Sequence, residues 1–312
     1  MWLALLSLTA LAGVPVVIDG GDATAVPALV AQRTGLPVDQ LEIFDLGDLL
    51  TQPPQVLGDA VMRRCSGAAT RMEAVRADLV RAEAAWARRD RVGAFDHLDL
   101  AVAQLGCLGE LVDRSVAARI FLLRGALEAE RGQPDAAHGE LRTALAFDPE
   151  LGWTGSFPVE GQVLLAEQRA IPTELTIQVL PAGTSSGPWV DGRTVDGDGA
   201  QVSVAPGLHL AQHPSPAGIR SAWLVVGGDT ALVLPGGFRR PVLEALSDAD
   251  RRAPVQALLQ ATLPGFHAAY VSHQGYLWLL TLVDGEIETT ELVTPPPPVV
   301  EESGKRRKRK DE

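Results

Sequence analysis

A chain of 312 residues, 46% hydrophobic and 21% charged, has enough apolar surface for two or three domains with real cores. Its net charge of −12 is unevenly held, because six of the 27 Lys and Arg residues crowd into Lys305, Arg306, Arg307, Lys308, Arg309 and Lys310. The remaining body is more acidic still, which excludes nucleic-acid binding by it, since phosphate contacts need clustered positive charge.

Residues 1–13 form an apolar run too short to span a bilayer. Ala10-Leu11-Ala12 gives a small-x-small cleavage pattern, so the run reads as a signal peptide and predicts export, although no Lys or Arg precedes it. An uncleaved apolar strand is the other reading. Residues 14–60 read as a small βαβ-like segment: strand "VPVVID", a helix within "ATAVPALVAQRTG" that ends at Gly35, and strand "LEIFDL". Such a unit alone is marginal and needs a neighbour to lean on.

Residues 61–171 are helical. Met72, Val75, Leu79, Ala82 and Trp86 recur at three- and four-residue steps and draw one apolar stripe. Ala94, Leu98, Ala101 and Leu105 draw a second. Val116, Ile120, Leu123 and Leu127 draw a third, and Ala137, Leu141 and Ala144 a fourth. Gly132 suits a helix C-cap and Pro134 the first turn of the next helix. The spacing of Ala82, Ala94, Leu98 and Ala101 repeats in Gly125, Ala137, Leu141 and Ala144, so the helices pair as two similar antiparallel hairpins. Residues 121–149, with Gly125, Gly132, Ala137, Ala144 and the closing Pro149, resemble a tetratricopeptide repeat. Phe121 and Arg124 depart from that pattern, and "GCLGELVDR" lengthens the link between the hairpins. The resemblance implies close helix packing at the small residues and a concave surface for a protein partner. A further helix near 158–170 caps the array.

The two cysteines, Cys65 and Cys107, lie just before the first helix and just after the second. In an antiparallel pair those positions share one end, so a disulfide is expected in an exported chain.

From 172 to 237 the hydrophobic period becomes two, with short strands bounded by Gly, Pro and Asp-Gly. This predicts a small antiparallel β-sandwich. Asp191-Gly192 and Pro206-Gly207 read as turns, at which Asp191→Asn should be tolerated because Asn serves such a turn equally well. Pro181 to Thr184, with Gly183, Val190 to Arg193 and Val204 to His209 resemble three signatures of the PEGA family of small β-modules. That likeness implies binding and no residue chemistry. Residues 238–293 read as a small α+β unit: a helix with Ser247 as a possible N-cap, then a β-meander turning at Gln274-Gly275 and Asp284-Gly285. Residues 294–312 read as a disordered Pro-rich and basic tail.

No stretch makes a catalytic centre. "GTSSG" at 183–187 matches a nucleophile pattern, but Pro188 and a strand follow where that chemistry needs a helix. Asp191, Asp196 and Asp198 lack the closing Glu of a calcium loop. His209 and His213 lack a third ligand for zinc. No cofactor is expected. The sequence thus predicts a multi-domain α+β protein that is exported and non-enzymatic, with an unknown protein partner on its helical repeats; the combined resemblance to tetratricopeptide and PEGA modules implies a bacterial cell envelope as its place. The basic tail suits an anionic envelope polymer or membrane surface. A second reading is carbohydrate or peptidoglycan binding through the β-module, with Trp189 or Trp223 stacking on sugar.

Overall fold

In a computed structural model the protein is described at residues 13–19, 25–153, 157, 159–180, 187–195, 200–215, 218–238, 246, 252–263, 266, 268–273, 276–283 and 286–293. The expectations for the leader, for Pro181 and Gly183, for Ser247, for the turns at 274–275 and 284–285 and for the basic tail lie outside those residues. In chain order come strand β1 (Val14–Asp19), helix α1 (Ala25–Thr34), strand β2 (Leu41–Asp45), short helix α2 (Leu46–Leu50) and strand β3 (Gln55–Arg64). Five helices follow: α3 (Met72–Ala87), α4 (Arg91–Leu105), α5 (Arg114–Glu130), α6 (Pro134–Phe147) and α7 (Val159–Arg169). Then come strands β4 (Leu175–Leu180), β5 (Trp189–Val190), β6 (Arg193–Thr194), β7 (Gln201–Val204), β8 (Gly207–Ser215) and β9 (Gly218–Val233). Helix α8 (Arg252–Thr262) and strands β10 (Ala268–His273), β11 (Tyr276–Val283) and β12 (Glu286–Val293) complete the mixed α+β chain.

The chain divides into two compact units, 1–48 with 266–312, and 49–265. In the first, β1 lies inside a five-stranded sheet of order β12-β11-β10-β1-β2. It pairs in parallel with β2 and with β10, while β10, β11 and β12 run antiparallel. Val16, Ile18, Val30, Tyr270 and Leu277 form its core. This corrects the expectation of separate segments at 14–60 and 238–293, whose strands share one sheet. The physical reason is in β1 itself: a near-continuous apolar run suits a strand buried between two parallel neighbours, and one hairpin-sized unit could not bury it.

The second unit begins with β3, which corrects the sequence reading of residues 61–71 as part of the helical domain. Its alternation is broken at Gly58 and Asp59, where the register against β9 shifts. The helices follow the predicted stripes. Ala82, Ala94, Ala101, Ala137 and Ala144 are fully buried, and a Cβ on Gly125 would stand 2.6 Å from the Leu141 side chain. Small residues sit here because the helices touch. Both helix pairs turn in the same way. Gly132 takes φ +70° between α5 and α6, and Arg89 takes φ 62° at the equivalent point between α3 and α4. In each, the next amide reaches back over one turn, Asp90 to the Ala85 carbonyl and Gln133 to the Glu128 carbonyl. Arginine in that left-handed conformation costs about 1 kcal/mol that glycine avoids.

Six strands follow the order β6-β5-β8-β9-β4-β7, and β3 adds to β9. The sheet is not purely antiparallel as expected, because β4 pairs with β9 in parallel. Two runs read as separate strands, "SAWLVVGG" and "TALVLPGG", are one continuous strand, β9. Gly227 and Gly228 are not a turn there; a Cβ on either would crowd Asp59 of β3, at 2.9 and 3.1 Å. Helix α8 packs on β3 and β9 and so belongs to this unit, not to the meander that follows it.

Helices and sheet are not separate beads. Trp223 of β9 enters the helical core, where it meets Phe121 and Phe147 edge-on and donates to the Val102 carbonyl at 3.2 Å. The lengthened link between the helix pairs has a matching purpose. Buried Gln212 of β8 accepts from the Val112 amide and donates to the Glu110 carbonyl, and Ser221 of β9 donates to the Leu108 carbonyl. The extra residues are the seat of the sheet.

Cys65 and Cys107 form a disulfide across 42 residues, with their Cα atoms 5.0 Å apart. Thr70 reinforces this end by exchanging backbone hydrogen bonds with Cys107 and Gly109. Replacing both cysteines by serine is expected to lower stability by about 4 kcal/mol in the chain-entropy view. Urea unfolding of the oxidised protein and the double variant measures it; equal midpoints would show that the bridge adds nothing.

Candidate functional site

Among the described residues of the second unit, polar chemistry gathers at several places. The first is the turn between β5 and β6. Asp191 and Gly192 both take positive φ, 50° and 70°, the two-residue turn that suits the twist of a hairpin. A Cβ on Gly192 would also strike Arg114 at 2.6 Å and Val112 at 2.9 Å, so the turn is pressed against the start of α5. Asp191 and Gly192 sit at the turn between β5 and β6, and the burial of the Asp191 side chain replaces the tolerance expected of Asp191→Asn with an expected loss of stability. The Asp191 side chain is buried, its carboxylate lying 2.7 Å from Nδ1 of His209 and accepting from the Leu210 amide at 2.8 Å. Nε2 of His209 faces the Ala205 carbonyl at 2.8 Å.

Carboxylate and carbonyl oxygens only accept, so this geometry favours the imidazolium form of His209, in which both ring nitrogens donate. Burial pushes this imidazole down, but the Asp191 charge, the bond to it and the Ala205 carbonyl together hold it above the usual histidine range. Every polar atom of the pair is engaged internally. It is a clamp between β5 and β8, with neither a free base nor a free ligand to offer. Among the described residues no group of three or more His, Cys, Asp or Glu side chains could hold a metal. His213, on the same strand, is instead held below its usual range by burial.

The second place is a hollow of about 730 Å³ on the helical array, bounded by α3, α5 and Phe157. Trp86 and Phe157 meet edge-to-face there at 6.3 Å. Arg119 lies 4.9 Å over the Phe157 ring and bonds Glu83 at 2.9 Å. Arg91 pairs with Glu130, and its hydrogen bond holds the Glu130 carboxyl below the usual carboxylate range. Arg89, in its left-handed conformation, stands on the same rim. Sequence reasoning missed this hollow because Trp86 ends an apolar stripe and reads as core; it is only partly buried. The arginine-rich turn at 88–91 was the available signal, since a residue other than Gly at that turn is a conformational exception.

The other predicted positions are structural. Pro206-Gly207 is a corner where the chain passes from β7, paired with β4, to β8, paired with β5 and β9. Its Pro206 carbonyl accepts from Arg142 of α6 at 2.9 Å. Pro149, after α6, lines a cleft beside that arginine. Arg124, where the repeat pattern has leucine, is mostly buried between Asp99 and Glu140 and ties α4, α5 and α6 together. Trp189 is half-buried, but Trp223 is lost to the helical core and cannot stack on a sugar. Among the described residues no helix is long and apolar enough to cross a membrane. Compared with protein families, curated proteins and solved structures, the chain matches none.

Proposed function

We propose that the protein is an exported bacterial envelope protein that holds a protein partner on its helical repeats, with no catalytic role. The observation that carries this reading is the open hollow on α3 and α5. It offers two aromatic rings and three arginines on a rigid frame, the residue types that supply most binding energy at interfaces. Support for export comes from the Cys65–Cys107 bridge, which is compatible with an oxidising compartment, and from the apolar leader with its Ala10-Leu11-Ala12 pattern. In this proposal the second unit combines tetratricopeptide-like helix pairs with a PEGA-like β-module. They share a core and are not beads on a linker, because Trp223 of the sheet lies in the helical cluster. In this reading the basic tail at 305–310 contacts an anionic envelope polymer or membrane surface.

A photoreactive amino acid placed at Ala87, on the rim of the hollow, is expected to give one discrete protein adduct in living cells. The same probe at exposed Leu100 of α4, which does not line the hollow, should give none. Adducts at both positions, or at neither, would overturn the assignment.

A further inference from the structure

Beside the Asp191–His209 clamp lies a cleft of about 160 Å³, between the ends of α6 and α7 on one side and β5, β6 and β7 on the other. Its charge is one-sided. Arg142, Arg169, Arg193 and His209 line it against Asp191 as the one acid among the described lining residues, and that acid is already matched by His209. Concentrated positive charge is unexpected in a chain of net charge −12. Leu145, Ile171 and Val202 supply an apolar wall.

Two of the cations are set in place beforehand. Arg142 gives Nε and one Nη to the buried Gln168 side chain and the other Nη to the Pro206 carbonyl. Three of its five N–H groups are so used, and two remain to meet an acceptor. Arg169 is held at 2.6 Å by the Leu151 carbonyl. Arg193 is exposed on β6 and makes no ion pair with a described residue. A ligand meeting Arg142 and Arg169 exchanges little of their side-chain freedom for its contacts, which favours binding in a small site, while Arg193 is ordered only on contact.

We propose that this cleft binds a small organic anion, a carboxylate or phosphate carried on an apolar body about the size of one ring. The size follows from the volume, since a cavity of about 150 Å³ takes a benzene-sized guest. The charge follows from the arginines, whose forked donors match carboxylate and phosphate oxygens. The site is separate from the hollow on α3 and α5, and stands or falls without it.

The test uses the whole protein and three probes that share one phenyl ring: benzoate, phenyl phosphate and neutral benzyl alcohol. Calorimetric titration is expected to show saturable binding of one or both anions and at least tenfold weaker binding of the alcohol. Inorganic phosphate, which lacks the apolar body, should also bind at least tenfold more weakly. A preference for benzoate or for phenyl phosphate identifies the headgroup. Arg193→Gln, which alters an exposed side chain and should leave the melting temperature unchanged, is expected to weaken the anion about tenfold. No saturable binding of either anion, equal binding of the alcohol, or an affinity unmoved in Arg193→Gln would overturn the proposal.

Discussion

Asp191→Asn is expected to destabilise the protein by about 3–5 kcal/mol, the usual cost of removing one partner of a buried ion pair. Two donors converge on this carboxylate, Nδ1 of His209 and the Leu210 amide. Asparagine would meet them with one oxygen and one NH₂, so a donor would face a donor. A neutral His209 could relieve that clash, but only by giving up its proton at one nitrogen in a buried site. The pH dependence separates this from a turn effect. The folded pKa of His209 lies above its ordinary value of 6.5, so the native state holds a proton that the unfolded chain loses first. The resulting stability is fully present below pH 6.5 and is lost as pH rises through the folded pKa. The gap between wild type and Asp191→Asn should therefore be widest at pH 6 and narrow on the alkaline side. Urea unfolding at pH 6 and pH 9 measures both points. Equal midpoints at pH 6 would return Asp191 to a simple turn residue.

That pair shows where sequence reasoning stops. Asp-Gly between two short alternating runs is a local signal, and the turn it predicts is present with both residues at positive φ. Nothing local says that the Asp side chain folds inward to a histidine 18 residues on. The same division runs through the fold. The four helices carry their own 3.6-residue periodicity, and the small residues at Ala82, Gly125 and Ala137 announce close packing. Cys65 and Cys107 were legible because an antiparallel helix pair fixes which ends meet. Partners distant in sequence were not legible. The sheet that joins β1 to β10 links residues more than 250 apart, Val16 opposite Tyr270. Pairing of that range leaves no periodic trace in either strand. β9 was divided in two because Gly227-Gly228 usually marks a turn, whereas here the glycines admit Asp59 from a neighbouring strand. Gln212 and Ser221, which seat the sheet on the helices, look like ordinary solvent-side residues of an alternating strand until Glu110 and Leu108 are placed beside them.

The junction of helices and sheet carries the second large effect. Trp223→Ala is expected to lower stability by about 3–5 kcal/mol, the range for emptying a buried aromatic site. Several features make collapse of the cavity difficult. Phe121 and Phe147 stack on one another at 6.0 Å, and both present their rings to the indole. Gly106 lies so close that a Cβ there would stand 2.7 Å from the indole, so the α4 terminus is fitted to the ring. Neighbouring Leu210 of β8 is fully buried in the same cluster. Removing the ring leaves these groups held by other contacts, with a void among them. The expected consequence reaches beyond the midpoint. With the shared core weakened, unfolding followed by far-ultraviolet circular dichroism and by the near-ultraviolet aromatic signal is expected to diverge further than in the wild type measured alongside. Phe121→Leu, which retains apolar bulk at the same place, should cost about 1 kcal/mol and keep the two signals as close as in the wild type. A Trp223→Ala protein within 1 kcal/mol of wild type, with the two signals no further apart than in the wild type, would mean that Trp223 is not what joins helices and sheet.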